Sequence, residues 1–298
     1  MGEPDYRRAK IILTIATLVI VTALILLFVY SKQFFAPSFK VIFFNVGQGD
    51  STLIRFANGE KMLVDCGPDK IAVGKLGEYL PFYDRTIDYL LITHPDLDHY
   101  GGCVDVLKRY NVKNIITNGD TKPDDSYYQI WDKYNHAENA NEILVNNPTT
   151  TIISGASLNF LSPDTDFNLG TASGGNNNSI VFLFKYNTTT ILFTGDMETV
   201  LEKEIINKYC LPSGEISRRE TSSTITCENL DADYLKIGHH GSDSSSDEEF
   251  LNFVSPKFAI ISVGKNSFGH PSLRTIRKLE RVGAVVWRTD EKDDIIVP

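Results

Sequence analysis

The chain has 298 residues, a net charge of −9, an apolar fraction of 42% and a charged fraction of 22%. These values are ordinary for a folded protein and exclude a disordered, collagen-like or small disulfide-scaffold chain. The acidic balance also argues against a protein that holds nucleic acid by bulk charge alone.

Ile11 to Tyr30 carries no charge. At about 1.5 Å per residue it reaches roughly 30 Å, the thickness of a bilayer's hydrocarbon core. Arg7, Arg8 and Lys10 precede it, so the positive-inside rule puts residues 1–10 in the cytoplasm and everything after Lys32 outside. Phe28, Tyr30, Phe34 and Phe35 follow in place of small residues at a cleavage site, so the stretch reads as a single-pass anchor of the cell membrane, not a signal peptide. Residues 31–38 read as a linker and 39–298 as one domain.

In that domain, Lys40–Val46 and Ser51–Phe56 read as strands around Gly47-Gln48-Gly49. Asn58-Gly59 predicts a hairpin into a strand at Lys61–Val64. Asp88–Thr93 has the apolar run of a buried strand, with helical spacing at Val104, Leu107 and Lys108. Val112–Thr117 reads as a strand and Asp125–Ala140 as a helix with a weak apolar face. Ser179–Tyr186 and Thr190–Phe193 form a second hairpin, followed by a helix at Glu198–Tyr209. Strands are predicted at Tyr234–Ile237, Phe258–Val263 and Ala284–Trp287, with helices at Asp247–Val254 and Leu273–Arg281. Hairpins followed by strand–helix alternation, twice over, predict an α/β fold of two mixed sheets with helices outside. Cys66 and Cys103 read as small buried thiols. Cys210 and Cys227 flank a polar stretch that a disulfide would close in an extracytoplasmic domain.

The chemistry-bearing residues sit at predicted strand ends. His94-Pro95-Asp96-Leu97-Asp98-His99 offers two imidazoles and two carboxylates straight after an apolar strand, a donor set suited to zinc, manganese or iron. Gly101-Gly102 then lets the chain turn. Thr194-Gly195-Asp196 places a carboxylate at another strand end, and Gly238-His239-His240-Gly241-Ser242 places two imidazoles. Asn176-Asn177-Asn178-Ser179 and Gly269-His270-Pro271-Ser272 are polar turns with donors to offer.

The order Asp65-Cys66-Gly67, His94 to His99, Thr194-Gly195-Asp196 and the 239/240 histidines resembles the metallo-β-lactamase fold, with Asp96 where that superfamily's motif usually has a second histidine. Asn45-Val46-Gly47-Gln48-Gly49-Asp50-Ser51, with the Asn-Ser, His-His-Gly-Ser and Gly-His-Pro-Ser runs, is similar to the ComEC-type competence group over roughly residues 39–298. The channel helices of that group have no counterpart here. The resemblance implies a four-layer αββα sandwich with a two-metal site, zinc or manganese, along one edge. It implies His94 and Asp96 on one ion, Asp98 and His99 on the other, and Asp196 bridging. A histidine from the pair completes the set: the Gly-His step favours His239, and His240 could ligate instead or contact substrate. The usual further metal histidine is replaced near Asn178 or Ser179, which leaves one ion under-ligated.

Two divalent ions about 3.5–4 Å apart would lower the pKa of a bridging water, and the resulting hydroxide would attack the substrate. Asp98 and His240 are the catalytic candidates. Asn178, Ser179, Ser242 and His270 are candidate donors to a phosphate oxygen, and Asp50 and Asp65 would orient the ligand loops. The expected function is a membrane-anchored metal-dependent phosphodiesterase or nuclease. Hydrolysis of esters, lactones, lactams or a surface polymer's phosphorylcholine remains open, as does a non-catalytic metal-binding module. Arg218-Arg219 and Arg274-Arg277-Lys278 are the basic clusters where a nucleic acid would lie.

Overall fold

The computed structural model describes residues 6–34, 38–172, 174–210 and 227–297. Helix α1 (Tyr6–Phe34) is long and apolar enough to cross a membrane. Its side chains from Tyr6 to Tyr30 are exposed, so it lends nothing to the core.

Strands β1 (Lys40–Phe43), β2 (Thr52–Arg55) and β3 (Lys61–Val64) form an antiparallel meander. The Asn58-Gly59 turn is made by Gly59 at φ +91°, a left-handed conformation that glycine adopts without Cβ strain. Beyond the meander the pairing turns parallel. Strands β4 (Thr86–Leu91), β5 (Asn111–Thr117) and β6 (Asn141–Leu144) follow β3 in order. Parallel neighbours need crossovers. These are α2 (Ile71–Tyr79), the pair α3 (Leu97–Tyr100) and α4 (Cys103–Arg109), and α5 (Ser126–Ala137), whose first turn is capped by Asp125.

The second sheet repeats the plan. Strands β7 (Thr149–Ile153), β8 (Ala156–Ser162), β9 (Val181–Tyr186) and β10 (Thr189–Phe193) pair antiparallel. Strands β11 (Tyr234–Lys236), β12 (Phe258–Ile261) and β13 (Val285–Arg288) then run parallel to β10. Their crossovers are α6 (Thr199–Tyr209), α7 (Glu248–Val254) and α8 (Leu273–Arg281). After α9 (Thr289–Lys292), β14 (Ile295–Val297) crosses back to pair with β1, Val297 opposite Val41. Among the described residues each sheet has seven strands.

Three apolar clusters separate four layers. Phe43, Met62 and Leu91 of the first sheet pack against Phe182, Phe193 and Ile260 of the second. Leu63, Leu90 and Ile115 face α2, α4 and α5, and Leu192, Leu235 and Ile261 face α6, α7 and α8. This is the αββα sandwich expected from the sequence. Ligands of open α/β sheets gather beyond the carboxyl ends of parallel strands. Here the two parallel halves end at one edge, stitched by Ile180 N donating to Thr93 O at 2.9 Å.

Two expectations are corrected. Cys66 and Cys103 are not free thiols but a disulfide, as Cys210 and Cys227 are. Gly101 and Gly102 do not supply a special turn, since both lie in the ordinary right-handed helical region. Their need is space: a Cβ on Gly102 would stand 2.2 Å from Cys66 O and 2.3 Å from Asp69 O. The basic cluster Arg218-Arg219 lies outside the described residues.

The Cys66–Cys103 bridge closes a loop between residues 37 apart in sequence, which constrains the unfolded chain by about 2–4 kcal/mol. Replacing both cysteines by alanine should therefore lower the melting temperature by roughly 5–15 °C in differential scanning calorimetry. A second stability device lies under α7. Glu202 is buried and accepts from Ser246 N at 2.5 Å and Asp247 N at 2.8 Å. Burial lifts its carboxyl to about 7 against the two amide donors. The folded protein keeps this proton to higher pH than the unfolded chain does, so stability is full below about pH 4.5 and is lost as pH rises through 7. Relative to Glu202→Gln, the wild type should lose about 3 kcal/mol across that window, read from paired urea melts at pH 4.5 and 8.

Candidate metal centre

Four loops bring the site together. Asp65 follows β3, His94 to His99 follow β4, Asp196 follows β10, and the histidine pair follows β11. One ligand atom each from Asp98, His99, Asp196 and His240 lies within 4.8 Å of all the others. His99 Nε2 stands 3.2 Å from Asp196 Oδ1 and His240 Nε2 3.1 Å from Asp98 Oδ2.

The histidine tautomers follow from their outer contacts. His99 Nδ1 lies 2.9 Å from Asp65 Oδ2, and His240 Nδ1 lies 2.9 Å from Ser262 O. A carboxylate and a carbonyl only accept, so each Nδ1 carries the proton and each Nε2 turns inward. His94 follows the same rule. Thr93 Oγ1 donates to Asp65 Oδ2 at 2.8 Å, which leaves it to accept from His94 Nδ1 at 3.1 Å. His94 Nε2, His99 Nε2 and Asp196 Oδ1 are buried without a hydrogen-bond partner. His99 Nε2 and Asp196 Oδ1, 3.2 Å apart without a hydrogen bond, are spaced as two ligands of one ion with bonds of about 2.0–2.2 Å. The donor set fits a divalent metal.

Electrostatics agrees. Burial opposes charge on His240, but Asp196, Asp50 and Asp98 raise it to about 10. His99 is raised well above its usual value by Asp196 and Asp65 against the same burial. Burial would likewise raise Asp196, and the surrounding cations hold it well below the carboxylate range. The centre therefore demands positive charge, which protons or a metal ion can supply.

Asp50 and Asp65 sit behind the cluster. Asp65 accepts from Thr93 N as well as Thr93 Oγ1, fixing the loop that carries His94 and His99. Asp50 pairs with the buried ammonium of Lys236. Burial works against ionised Asp50, and Lys236, His240 and His99 draw it down to about 2.

The remaining expected residues are placed less uniformly. His94 Nε2 stands 3.7 Å from Asp96 Oδ2 at the edge of the centre, and Lys122 pairs with the other Asp96 oxygen. Ser179 is buried, accepts from Asp196 N at 3.1 Å and lies 3.3 Å from His94 Nδ1, so it braces both residues. Asn178 gives its carbonyl to Asn118 Nδ2. Ser242 Oγ is engaged with Ser244. His270 is half-buried with its Nδ1 unpartnered.

The histidine pair divides its labour. His239 and His240 both have left-handed backbones, φ 48° and 53°, each a strained conformation for a residue with a Cβ. The consequence is divergence. His240 points into the cluster, while His239 turns outward to Glu198 Oε1 at 3.3 Å and to the His270 ring at 5.3 Å. The sequence expectation favoured His239 for the ligand set; the ring that the backbone delivers there is His240. Lys236, Lys122 and Glu198 were not anticipated. A lysine inside the apolar strand Tyr234–Lys236 was the available signal for the first; the other two are brought in by tertiary contacts.

A helix-flanked double sheet carrying a histidine–aspartate cluster at its shared edge is the architecture of a fold built to hold metal ions. A family model described as the Metallo-beta-lactamase superfamily matches residues 44–265, and the chain belongs to that superfamily. It is 28% identical over 292 residues to ComE operon protein 3 of Bacillus subtilis (strain 168), covering 92% of this chain and 34% of that protein. It is 29% identical over 264 residues to Recombination protein 2 of Haemophilus influenzae, covering 87% of this chain and 28% of that one. The chain thus spans about a third of these relatives' length. Among solved structures it is similar to CmlA, a diiron β-hydroxylase from Streptomyces venezuelae, with a TM-score of 0.54 and 14% identity, covering 88% of this chain and 54% of that one. At that identity the likeness is one of fold.

Proposed function

We propose that the domain is a metal-dependent phosphodiesterase acting on nucleic acid, tethered by α1 to the cell membrane with its site on the outer side. The observation that carries the reading is the convergence of the His99 and His240 Nε2 atoms on Asp98 and Asp196, with both Nδ1 atoms committed to outer acceptors. When bound there, divalent zinc or manganese supplies Lewis acidity and makes water a nucleophile near neutral pH. Asp98, His99, Asp196 and His240 would hold one ion. His94 and Asp96 would hold a second one more weakly, since Ser179 lies beside them where a further ligand would be needed.

The chain's own groups do the rest. The Asp98 side chain is 35% exposed, against 4% for Asp196, so Asp98 is the carboxylate that reaches an attacking water and takes its proton. His239 and His270 stand outside the ligand ring and donate to a phosphate oxygen. Asp65 and Asp50 hold His99 and His240 in place. The relatives are named for competence and recombination, processes that handle DNA, which favours phosphodiesters over carbonyl esters. The two disulfides fit an oxidising, extracytoplasmic setting.

The test is a substrate panel for the full chain in detergent, stripped of metal and re-supplied with zinc or manganese. Turnover of bis-p-nitrophenyl phosphate, with little on p-nitrophenyl acetate, a lactone or p-nitrophenylphosphorylcholine, is expected. Turnover confined to any of the latter would replace the reading.

A further inference from the structure

The loop between β12 and α8 is unusually well tied for one that offers an apolar tip. Asn266 Oδ1 accepts from Phe268 N, Gly269 N and His270 N at 3.0–3.1 Å, while Asn266 Nδ2 donates to Gly264 O and His270 O. The loop's start is pressed on the first sheet's 47–48 turn, where a Cβ on Gly264 would meet Gly47 C at 2.4 Å. Its end is pinned by Ser272 N donating to Gly241 O. On this frame Phe268 is 73% exposed and Leu273 74%. An exposed ring held by a built loop gains nothing from the fold, and it is pre-organised for a ligand.

The ring is also aligned with the metal centre. His240, His239, His270 and Phe268 form a file with successive centroids 6.3, 5.3 and 5.7 Å apart, running from the ligand cluster to the surface. Directly after the loop, α8 exposes Arg274, Arg277 and Arg281 at i, i+3 and i+7, one face of a helix. Arg274 pairs with Asp243 and Arg281 with Glu248; Arg277 has no ion pair among the described residues. This basic face stands out in a chain of net charge −9.

We infer that residues 265–281 form a track for single-stranded nucleic acid, with Phe268 stacking on an unpaired base beside the scissile phosphate and Arg277 meeting a backbone phosphate. An aromatic platform beside a basic stripe is how unpaired strands are held without reading their sequence. A duplex keeps its bases stacked internally and cannot use the ring. The inference deepens the phosphodiesterase reading and rests on it for the identity of the substrate.

The experiment is fluorescence anisotropy of the full chain in detergent with a labelled single-stranded oligodeoxynucleotide, metal chelated so that nothing is cleaved. Phe268→Ala should weaken binding about 5- to 150-fold, the range for one stacked base, and Phe268→Tyr and Phe268→Trp should restore it. On an abasic strand of equal length Phe268→Ala should change nothing. Arg277→Ala should reduce the slope of log affinity against log salt by about 0.7. Binding of Phe268→Ala within twofold of wild type overturns the track, as does an equal loss on the abasic strand or no binding by the wild type. Because binding is read without turnover, failure here leaves hydrolysis of bis-p-nitrophenyl phosphate untouched, and absence of that hydrolysis leaves the binding result standing.

Discussion

Asp196→Asn should cost about a thousandfold or more in metal-dependent hydrolysis, equivalent to about 4 kcal/mol. Both Asp196 oxygens face imidazoles: Oδ1 lies 3.2 Å from His99 Nε2 and Oδ2 3.5 Å from His240 Nε2. The amide keeps the shape but removes the charge and turns one acceptor into a donor. The surrounding imidazoles then have one less anion to share, and an ion held there would lose an anionic ligand. Calorimetric titration with manganese should show the loss of affinity directly, with a melting curve to confirm that the variant is folded. A variant that binds metal and turns over substrate like the wild type would exclude Asp196 from the centre.

His240→Ala and His239→Ala should separate cleanly, although the residues are neighbours. The first removes an Nε2 from the cluster and should leave metal content after dialysis near zero. The second removes a ring that faces Glu198 and His270, so metal content should hold while KM for phosphodiesters rises. Inductively coupled plasma mass spectrometry on the dialysed variants decides. The reverse pattern would mean that the backbone at 239–240 places the other ring inward.

Much of this site could be read from strand ends. The His94 to His99 run, Asp196 and the histidine pair were each recognisable because an apolar strand delivers polar side chains to a sheet edge. The choice within the pair was not, because it depends on two consecutive left-handed residues, and nothing local in the sequence marks them. The same holds for Lys236, whose partner Asp50 lies 186 positions away and is met only when the two sheets close. The Cys66–Cys103 bridge was missed for a related reason: each cysteine sits beside a motif that explains its small size, and their pairing is a property of the packed loops.

Burial accounts for part of what was legible in the fold, although the buried strand β8 was not among those predicted. The Lys61–Val64 strand and the Leu273–Arg281 helix coincide with their predicted bounds, the first buried throughout and the second capped by Ser272. Strands β6 and β7 are mostly exposed, so their sequences carry no alternation to find. Strand β14 is three residues long and is a strand only because β1 offers an edge. Its addition completes a sheet that no local pattern announces.

If the Asp98–His99–Asp196–His240 cluster holds a divalent ion that drives phosphodiester hydrolysis, activity should follow the filling of that cluster. The most direct measurement titrates manganese into the metal-stripped full chain while following bis-p-nitrophenyl phosphate cleavage and counting bound ions by native mass spectrometry. The expected result is no turnover without metal, a rise that tracks the first ion bound, and none of it in Asp196→Asn. Turnover by the stripped wild type, or a saturated centre with no turnover at any manganese concentration, would contradict it.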